Sequence, residues 1–207
     1  MGHYAILFVR AFLPLMAVGV IGVGVMGTPT AVAGESASQV IKVGSPPLTM
    51  TMRQEVEGTL SIVEAECTIP ATPPAVWSVL SDYQHLSELV PFVTESRLLG
   101  EEGGAKMLYQ AGRGGVWFFQ RRFTVVFRIH EVPMHAITFQ AVRGDFRRFE
   151  GSWQLEVRPE GTVVRHRVAI EPAFYVPRWS MRLIARHLML KSFEGIVGRC
   201  ADVRGQP

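Results

Sequence analysis

Apolar and polar residues alternate along most of the chain after residue 60, and this period of two is typical of half-buried β-strands. Seven segments have the pattern, and short runs rich in glycine, proline or charged residues separate them. The predicted strands are 60–69, 92–99, 105–111, 122–131, 136–142, 146–157 and 162–170. Consecutive strands joined by short turns predict an antiparallel meander with one face in water.

Helical patterns interrupt this series once and then end it. Between the first two strands, the Thr72 hydroxyl can cap a helix, and Pro73 suits a first turn because an N–H there has no partner. A second short helix is predicted over 83–90, before a proline. After the last strand, 179–203 predicts one helix of roughly 25 residues, about 37 Å long. It is apolar around most of its circumference, so we expect it to be packed across the concave face of the sheet.

Two groups of residues carry a resemblance to a known family. They are Ile69, Pro70-Ala71, Val76-Trp77, Leu80, Asp82-Tyr83, Leu86, Leu89 and Val90-Pro91, and then Gly144-Asp145-Phe146-Arg147 with Gly151-Ser152-Trp153. On these residues the chain resembles the START-like (SRPBCC) superfamily, which includes polyketide cyclases and coenzyme Q-binding proteins. The resemblance implies an α+β helix-grip fold: a curved seven-stranded antiparallel sheet wrapped on a long C-terminal helix, with two short helices after the first strand. Fold alone does not determine the activity.

The N-terminal segment has the features of a secretory signal peptide. Within residues 1–33, Arg10 supplies the positive charge, 11–27 is apolar, and Ala31-Val32-Ala33 is a small-x-small cleavage site. The mature chain would then begin at Gly34. An uncleaved membrane anchor is the alternative, although the apolar run is shorter than the roughly 20 residues of a spanning helix.

The rest of the chain divides into two parts. Residues 34–57 are polar and contain Pro46-Pro47 and several serines, so they are predicted to be an irregular tether. Residues 58–207 are the START-like ligand-binding domain that the resemblance implies. With 48% apolar and 19% charged residues, the chain can build a sizeable core.

The charge balance argues against nucleic-acid binding. Lys and Arg number 21 and Asp and Glu 18; removal of Arg10 with the leader leaves 20 against 18, a net charge of +2. The chain has no asparagine, so it has no N-glycosylation site. Together with the leader, this composition predicts an exported bacterial protein, most simply a periplasmic one.

Cysteine content and motifs offer little catalytic chemistry. Cys67 and Cys200 cannot form a metal site by spacing, and they are either two buried thiols or a disulfide that export would permit. The chain lacks a nucleophile elbow, an H-E-x-x-H motif, a P-loop and a C-x-x-C motif. No metal or cofactor is predicted.

A cavity between the sheet and the long helix is the expected binding site, because a mostly apolar concavity with few polar groups is the usual form of a small-molecule site. The alternative is that its aromatic residues simply fill the core. The resemblance implies a hydrophobic ligand, for which the candidate residues are Tyr109, Phe123, Phe127, Phe139, Arg147, Phe149, Trp153, His166, Leu183, His187 and Leu190.

Three of these candidates are polar groups on predicted apolar strand faces. Arg147, His166 and Tyr109 are interpreted as polar anchors for the ligand. Arg147 would need a partner if it is buried, either Asp145 or a ligand headgroup. A lone histidine on an apolar strand is also commonly a hydrogen-bonded core residue.

Two aromatic clusters are predicted to lie in loops. They comprise Trp117, Phe118 and Phe119, and then Phe174 and Tyr175. Ordinary packing is one interpretation; the other is a lip that touches a bilayer, where aromatic rings are well accommodated at the interface.

Three functions remain open from the sequence. The first is binding or transport of a hydrophobic small molecule, such as a lipid, a quinone or an isoprenoid, in the cell envelope. The second is a polyketide cyclase or aromatase-type enzyme on the same fold, with His166 or Tyr109 as the candidate acid or base. The third is an interaction module without a ligand.

Overall fold

The computed structural model describes residues 39–44, 47–90, 92–114 and 121–204. The strands are β1 Gln39–Val43, β2 Leu48–Glu57, β3 Leu60–Ile69, β4 Val93–Glu102, β5 Ala105–Gly114, β6 Arg121–Val132, β7 Ala136–Gly144, β8 Phe146–Arg158 and β9 Gly161–Pro172. The helices are α1 Pro73–Leu80, α2 Leu86–Leu89 and α3 Arg178–Arg204, and a 3₁₀ turn, Tyr83–His85, precedes α2. The predicted signal peptide lies outside the described residues.

All strands pair antiparallel in one sheet, in the order β1-β2-β3-β9-β8-β7-β6-β5-β4. The six strands from β4 to β9 form the predicted meander, and β9 then pairs with β3, for example Val164 opposite Cys67. Helix α3 packs against β3 and α1. This is the α+β helix-grip architecture expected from the sequence, with nine strands in place of the predicted seven.

The two additional strands correct the prediction of an irregular tether. Residues 50–57 pair with β3, and Met50 and Met52 point into the core while Thr51 and Arg53 face water. The segment is polar overall because one face of each strand is in water, and this polarity obscured the period of two. Residues 34–38, the start of the predicted tether, lie outside the described part of the chain.

The core lies between the concave face of the sheet and α3. Phe193 of α3, Val76 of α1 and Val164 of β9 are fully buried there. Helix α1 begins after Thr72 as predicted, but the Thr72 side chain makes no capping hydrogen bond. The last turn of α1 ends where the Ser81 hydroxyl donates to the carbonyl oxygen of Trp77, at 2.8 Å.

Both cysteines belong to this core. Cys67 and Cys200 are buried as separate thiols, which is the first of the two alternatives raised by the sequence. Burial raises the pKa of the Cys67 thiol to about 11. Across the described ranges, no helix is both long and apolar enough to cross a bilayer, and no group of three or more potential metal ligands comes together.

Candidate ligand-binding cavity

Two adjoining chambers lie between the sheet and α3. The inner chamber has a volume of about 140 Å³ and lies beneath α1, α2 and the middle of α3. The outer chamber, about 480 Å³, extends to residues 173–177 and the start of α3. Both walls include Val90, Gln110, Phe149, Ile170, Ala185 and Leu188. For scale, an apolar cavity of about 150 Å³ holds a benzene molecule, so the interior is hollow rather than filled by its aromatic residues.

Interlocking phenylalanine rings form the strand side of both chambers. The Phe127 and Phe149 ring centroids are 4.9 Å apart, and those of Phe127 and Phe139 are 5.4 Å apart, both in edge-to-face geometry. Phe123 lines the outer chamber, and Phe139 and Trp153 line the inner one. The predicted phenylalanines and Trp153 therefore lie on the cavity wall.

Arg147 does not belong to this wall, contrary to the prediction. The β8–β9 register shifts between Phe146 and Arg148, so the regular alternation is broken there. The bulge leaves Arg147 with its side chain 63% exposed and 3.5 Å from Glu171, while Phe146 and Phe149 both face inward, 4.9 Å apart. A β-bulge adds one residue to a strand and reverses which residues face the core.

Asp145, the suggested partner of Arg147, is bonded elsewhere. Its carboxylate accepts hydrogen bonds from the backbone N–H of Thr124, at 2.7 Å, and from the Thr124 hydroxyl, at 3.2 Å. The contact joins the β7–β8 turn to β6, so Asp145 has a structural role rather than a role inside the cavity.

Strand β5 presents the opposite face from the one predicted. Leu108 and Gln110 line the inner chamber, and Tyr109 faces the other side, where the Arg97 guanidinium lies 4.7 Å from its ring centroid. Apolar residues occur on both faces of β5, since Met107 is also buried. Hydrophobicity alone could therefore not determine which face is inside, and Gln110 was missed.

His166 is the most constrained polar group of the inner chamber. Its ring stacks on the indole of Trp153, and its Nδ1 lies 3.0 Å from the carbonyl oxygen of Ser152. A carbonyl only accepts, so Nδ1 carries the proton and Nε2 of the neutral ring is a bare acceptor. Burial lowers the pKa of His166 to about 4, although the Ser152 carbonyl acts in the opposite direction. Within the described residues, Nε2 has no hydrogen-bond partner.

Gln110 and Ser192 are two further polar groups of the inner chamber. They are 8% and 7% exposed, and neither side chain makes a hydrogen bond in the part of the chain that the structure describes. Buried amides and hydroxyls normally have such partners. For Ser192 the signal in the sequence is a polar residue among apolar ones at helical spacing. Gln110 has no such signal, because Lys106 lies on the same face of β5.

Tyr83 closes one end of the inner chamber and is fully bonded. Its hydroxyl donates to Glu131 Oε1 at 2.5 Å, and Lys106 Nζ lies 2.8 Å from both Glu131 oxygens. Burial raises the pKa of Tyr83, and the hydrogen bond and charge of Glu131 raise it further. This cluster joins the 3₁₀ turn to β5 and β6.

The family model described as polyketide cyclase/dehydrase and lipid transport matches residues 69–192, more than half of the chain. The chain belongs to this family. The START-like assignment made from the sequence is thereby confirmed. A comparison with curated proteins finds no match.

Solved structures of the same fold support the architecture of this family member. A STAR-related lipid transfer protein from Xanthomonas axonopodis is 20% identical, with a TM-score of 0.57 over 82% of this chain and 99% of that one. Human STARD10 is 12% identical, with a TM-score of 0.62 over 84% and 76% of the two chains. The Zhui aromatase/cyclase from Streptomyces sp. R1128 is 14% identical, with a TM-score of 0.57 over 69% and 94%. At these identities the likeness concerns the fold.

In this polyketide cyclase-family chain, α3 has a different rotational phase from the one predicted. Leu183 is 56% exposed, His187 is exposed beside Phe92, and Leu190 packs on the core outside both chambers. The helix residues that line the inner chamber are Ala185, Leu188, Met189, Ser192 and Ile196. Arg182, Arg186, His187 and Lys191 are exposed and share the outward side of α3 with Leu183, so the prediction that Leu183 and His187 line the cavity was wrong.

The mouth of the outer chamber carries one of the two aromatic clusters. Phe174 and Tyr175 line it, and Tyr175 is 84% exposed. The Arg121 guanidinium lies 4.9 Å from the Phe174 ring centroid. Trp117, Phe118 and Phe119, the other predicted cluster, lie outside the described residues.

Proposed function

We propose that this protein binds and carries a hydrophobic small molecule, such as a lipid, a quinone or an isoprenoid, in its two internal chambers. The observation that carries the proposal is the pair of adjoining chambers, of about 140 and 480 Å³, with mostly apolar walls. An apolar concavity with a few placed polar groups is the usual form of a small-molecule site. Family membership and the fold fit a protein that binds hydrophobic ligands.

Filling the cavity tests this function. Ala185 is buried and lines both chambers, so Ala185→Trp places an indole in the shared space. We expect native mass spectrometry and solvent extraction to find a hydrophobic molecule on the purified wild-type protein and none on this variant. Leu183→Trp is the matched control, because Leu183 points outward on the same helix, and it should retain the ligand. An empty wild-type protein that also takes up no added lipid would refute the proposal.

The aromatic mouth supports ligand exchange at a membrane surface. Tyr175 exposes its ring beside the opening, and Arg121 is adjacent at Phe174. Aromatic rings and arginine suit the interface of an anionic bilayer. In flotation with phosphatidylglycerol-containing vesicles, Tyr175→Ser should reduce binding. Val157→Ser is the control, since Val157 is also an exposed apolar residue, at the C-terminal end of β8 and outside both chambers. Equal loss in both variants would refute this mode of exchange.

Export to the cell envelope is the proposed location, on the strength of the signal-peptide pattern in residues 1–33. We expect the full chain, produced in a bacterium, to fractionate with the periplasm and to begin at Gly34 by mass. A chain that retains residues 1–33 in the membrane fraction would instead be anchored, and one in the cytoplasm would contradict the proposal.

A cyclase-type enzyme is the second candidate, favoured by the family description and by one observation. The bare Nε2 of His166 in an apolar chamber is positioned to accept a proton from a bound chain. The low pKa of His166 makes it a weak base, which favours the carrier. Turnover of a poly-β-ketone substrate that disappears in His166→Phe would support the enzyme, and binding without turnover would support the carrier.

A further inference from the structure

The inner chamber is uncharged but not entirely apolar. Within the described residues, no Asp, Glu, Lys or Arg lines it. An ionised group of a ligand would therefore be buried there without a counter-charge, which is strongly unfavourable. The part of a ligand that enters this chamber must therefore be uncharged.

Three polar side chains in the wall of the inner chamber indicate which functional group the buried end of the ligand should have. His166, Gln110 and Ser192 are all more than nine-tenths buried and line this chamber. Among the described residues, His166 is hydrogen-bonded only through Nδ1, and the side chains of Gln110 and Ser192 make no hydrogen bond. Unbonded polar groups in an apolar wall favour a ligand that satisfies them and disfavour one that does not.

His166 determines the direction of the hydrogen bond. Its Nδ1–H is used by the Ser152 carbonyl, so Nε2 can only accept. A ligand group that meets Nε2 must be a donor, and a hydroxyl is such a group. The Gln110 amide and the Ser192 hydroxyl, on β5 and α3, can both donate and accept, so they can bond further polar groups of the same ligand.

We propose that the ligand is an uncharged hydrophobic molecule with a hydroxyl group at its inner end, which donates to His166 Nε2. The inference rests on the proposed carrier function and narrows it to aliphatic alcohols, sterol-like alcohols, phenols or hydroquinones. It disfavours free carboxylic acids, fully oxidised quinones and pure hydrocarbons.

A series of matched probes tests this. The chain from Gly34 to Pro207 is first loaded with the neutral dye N-phenyl-1-naphthylamine. The dye is then displaced by 1-dodecanol, dodecyl methyl ether or dodecanoate at pH 7.5. We expect the alcohol to compete about 5- to 10-fold better than the ether, the value of one hydrogen bond to a neutral group. Dodecanoate should compete less well than the alcohol.

Variants locate the effect within the protein. His166→Phe keeps an aromatic ring for Trp153 but removes the acceptor, so the alcohol should fall to the level of the ether while the ether is unchanged. Ser180→Ala is the control: Ser180 lines the outer chamber, but its hydroxyl already donates to Pro177, at 2.8 Å. This variant should keep the preference for the alcohol.

Each contrary outcome has a distinct meaning. If neither the dye nor any probe binds, the carrier function itself fails. If all probes bind but alcohol and ether compete equally, or if His166→Phe keeps the preference, the inference about the hydroxyl fails while the carrier function stands. If dodecanoate competes best and loses this in Arg121→Gln, the polar end lies at the mouth and the inference is overturned. The wild-type ratio decides the matter even where His166→Phe does not fold.

Discussion

The imidazole of His166 lies flat on the indole of Trp153, with ring centroids 3.6 Å apart and planes 8° apart. The two residues are direct cross-strand neighbours on β9 and β8, so the sheet register produces the stack. Phe193 of α3 packs against the same indole at 5.7 Å. The stack connects the sheet, the inner chamber and the long helix, and the burial of His166 within it lowers the pKa of the imidazole.

The stability of the protein should fall as pH drops from 6.5 to 4. Burial lowers the pKa of His166 from its ordinary value of 6.5 to about 4, so in this range the unfolded chain binds a proton that the folded protein does not. Integrated over the interval, the loss is about 3 kcal/mol. Urea unfolding of wild type and His166→Phe at a series of pH values measures it. The variant should lack this part of the slope, and parallel curves for the two proteins would contradict the prediction.

Gly151 is expected to tolerate no side chain. A Cβ there would lie 2.4 Å from the Arg167 carbonyl oxygen and 2.6 Å from Cζ of Phe139. Gly151→Ala should therefore displace the Phe139 ring, destabilise the protein by about 1–3 kcal/mol and weaken dye binding in the inner chamber. Gly198→Ala on α3 is the control, because nothing lies within 4 Å of its Cβ. It should be neutral or slightly stabilising by helix propensity, and equal losses in both variants would contradict the explanation.

The two thiols should be inert in the folded protein. Cys67 and Cys200 are buried, and the pKa of Cys67 is raised to about 11, whereas thiol reagents attack the exposed thiolate. We expect labelling by 5,5′-dithiobis(2-nitrobenzoate) only at the rate of unfolding. Ser78→Cys, at an exposed position of α1, should add one rapidly labelled thiol. Rapid labelling of the wild type would show that the core opens locally.

The N-terminal hairpin should be part of the folding unit. Met50 is fully buried opposite Cys67, so Met50→Ala should cost about 2–5 kcal/mol. Thr51→Ala, on the water-exposed face of the same strand, should change stability by less than about 0.5 kcal/mol. Thermal or urea unfolding compares the two, and an unaffected Met50→Ala protein would mean that 39–57 behaves as the predicted tether.

Much of the fold was predictable because its determinants are local. The period of two located the strands of the meander, and an apolar run of helical length located α3 within a residue or two at each end. Several cavity residues were also predictable, among them Phe127, Phe149 and His166, since their strands have one clearly apolar face. The hairpin β1–β2 was not predicted, because its many polar residues favour an irregular segment and obscure its alternation of apolar and polar positions.

The errors at the site have a common cause. Arg147 was placed inside because regular alternation was assumed, and a bulge reverses it. Both faces of β5 carry apolar residues, so hydrophobicity does not exclude the predicted inward orientation of Tyr109. In each case, two orientations of an element satisfy its own sequence about equally well. The neighbouring elements then decide between them.

The sequence by itself determined the family, the order of strands and helices, and the presence of apolar faces able to enclose a cavity, because residue periodicity and family motifs are properties of the chain. Only the tertiary structure decided which face of β5 and which side of α3 look inward. It also decided that the side chains of Gln110 and Ser192 and the Nε2 atom of His166 have no hydrogen-bond partner among the described residues. Hydrogen-bond satisfaction depends on distances between segments far apart in the chain, and these exist only when the sheet has closed against the helix.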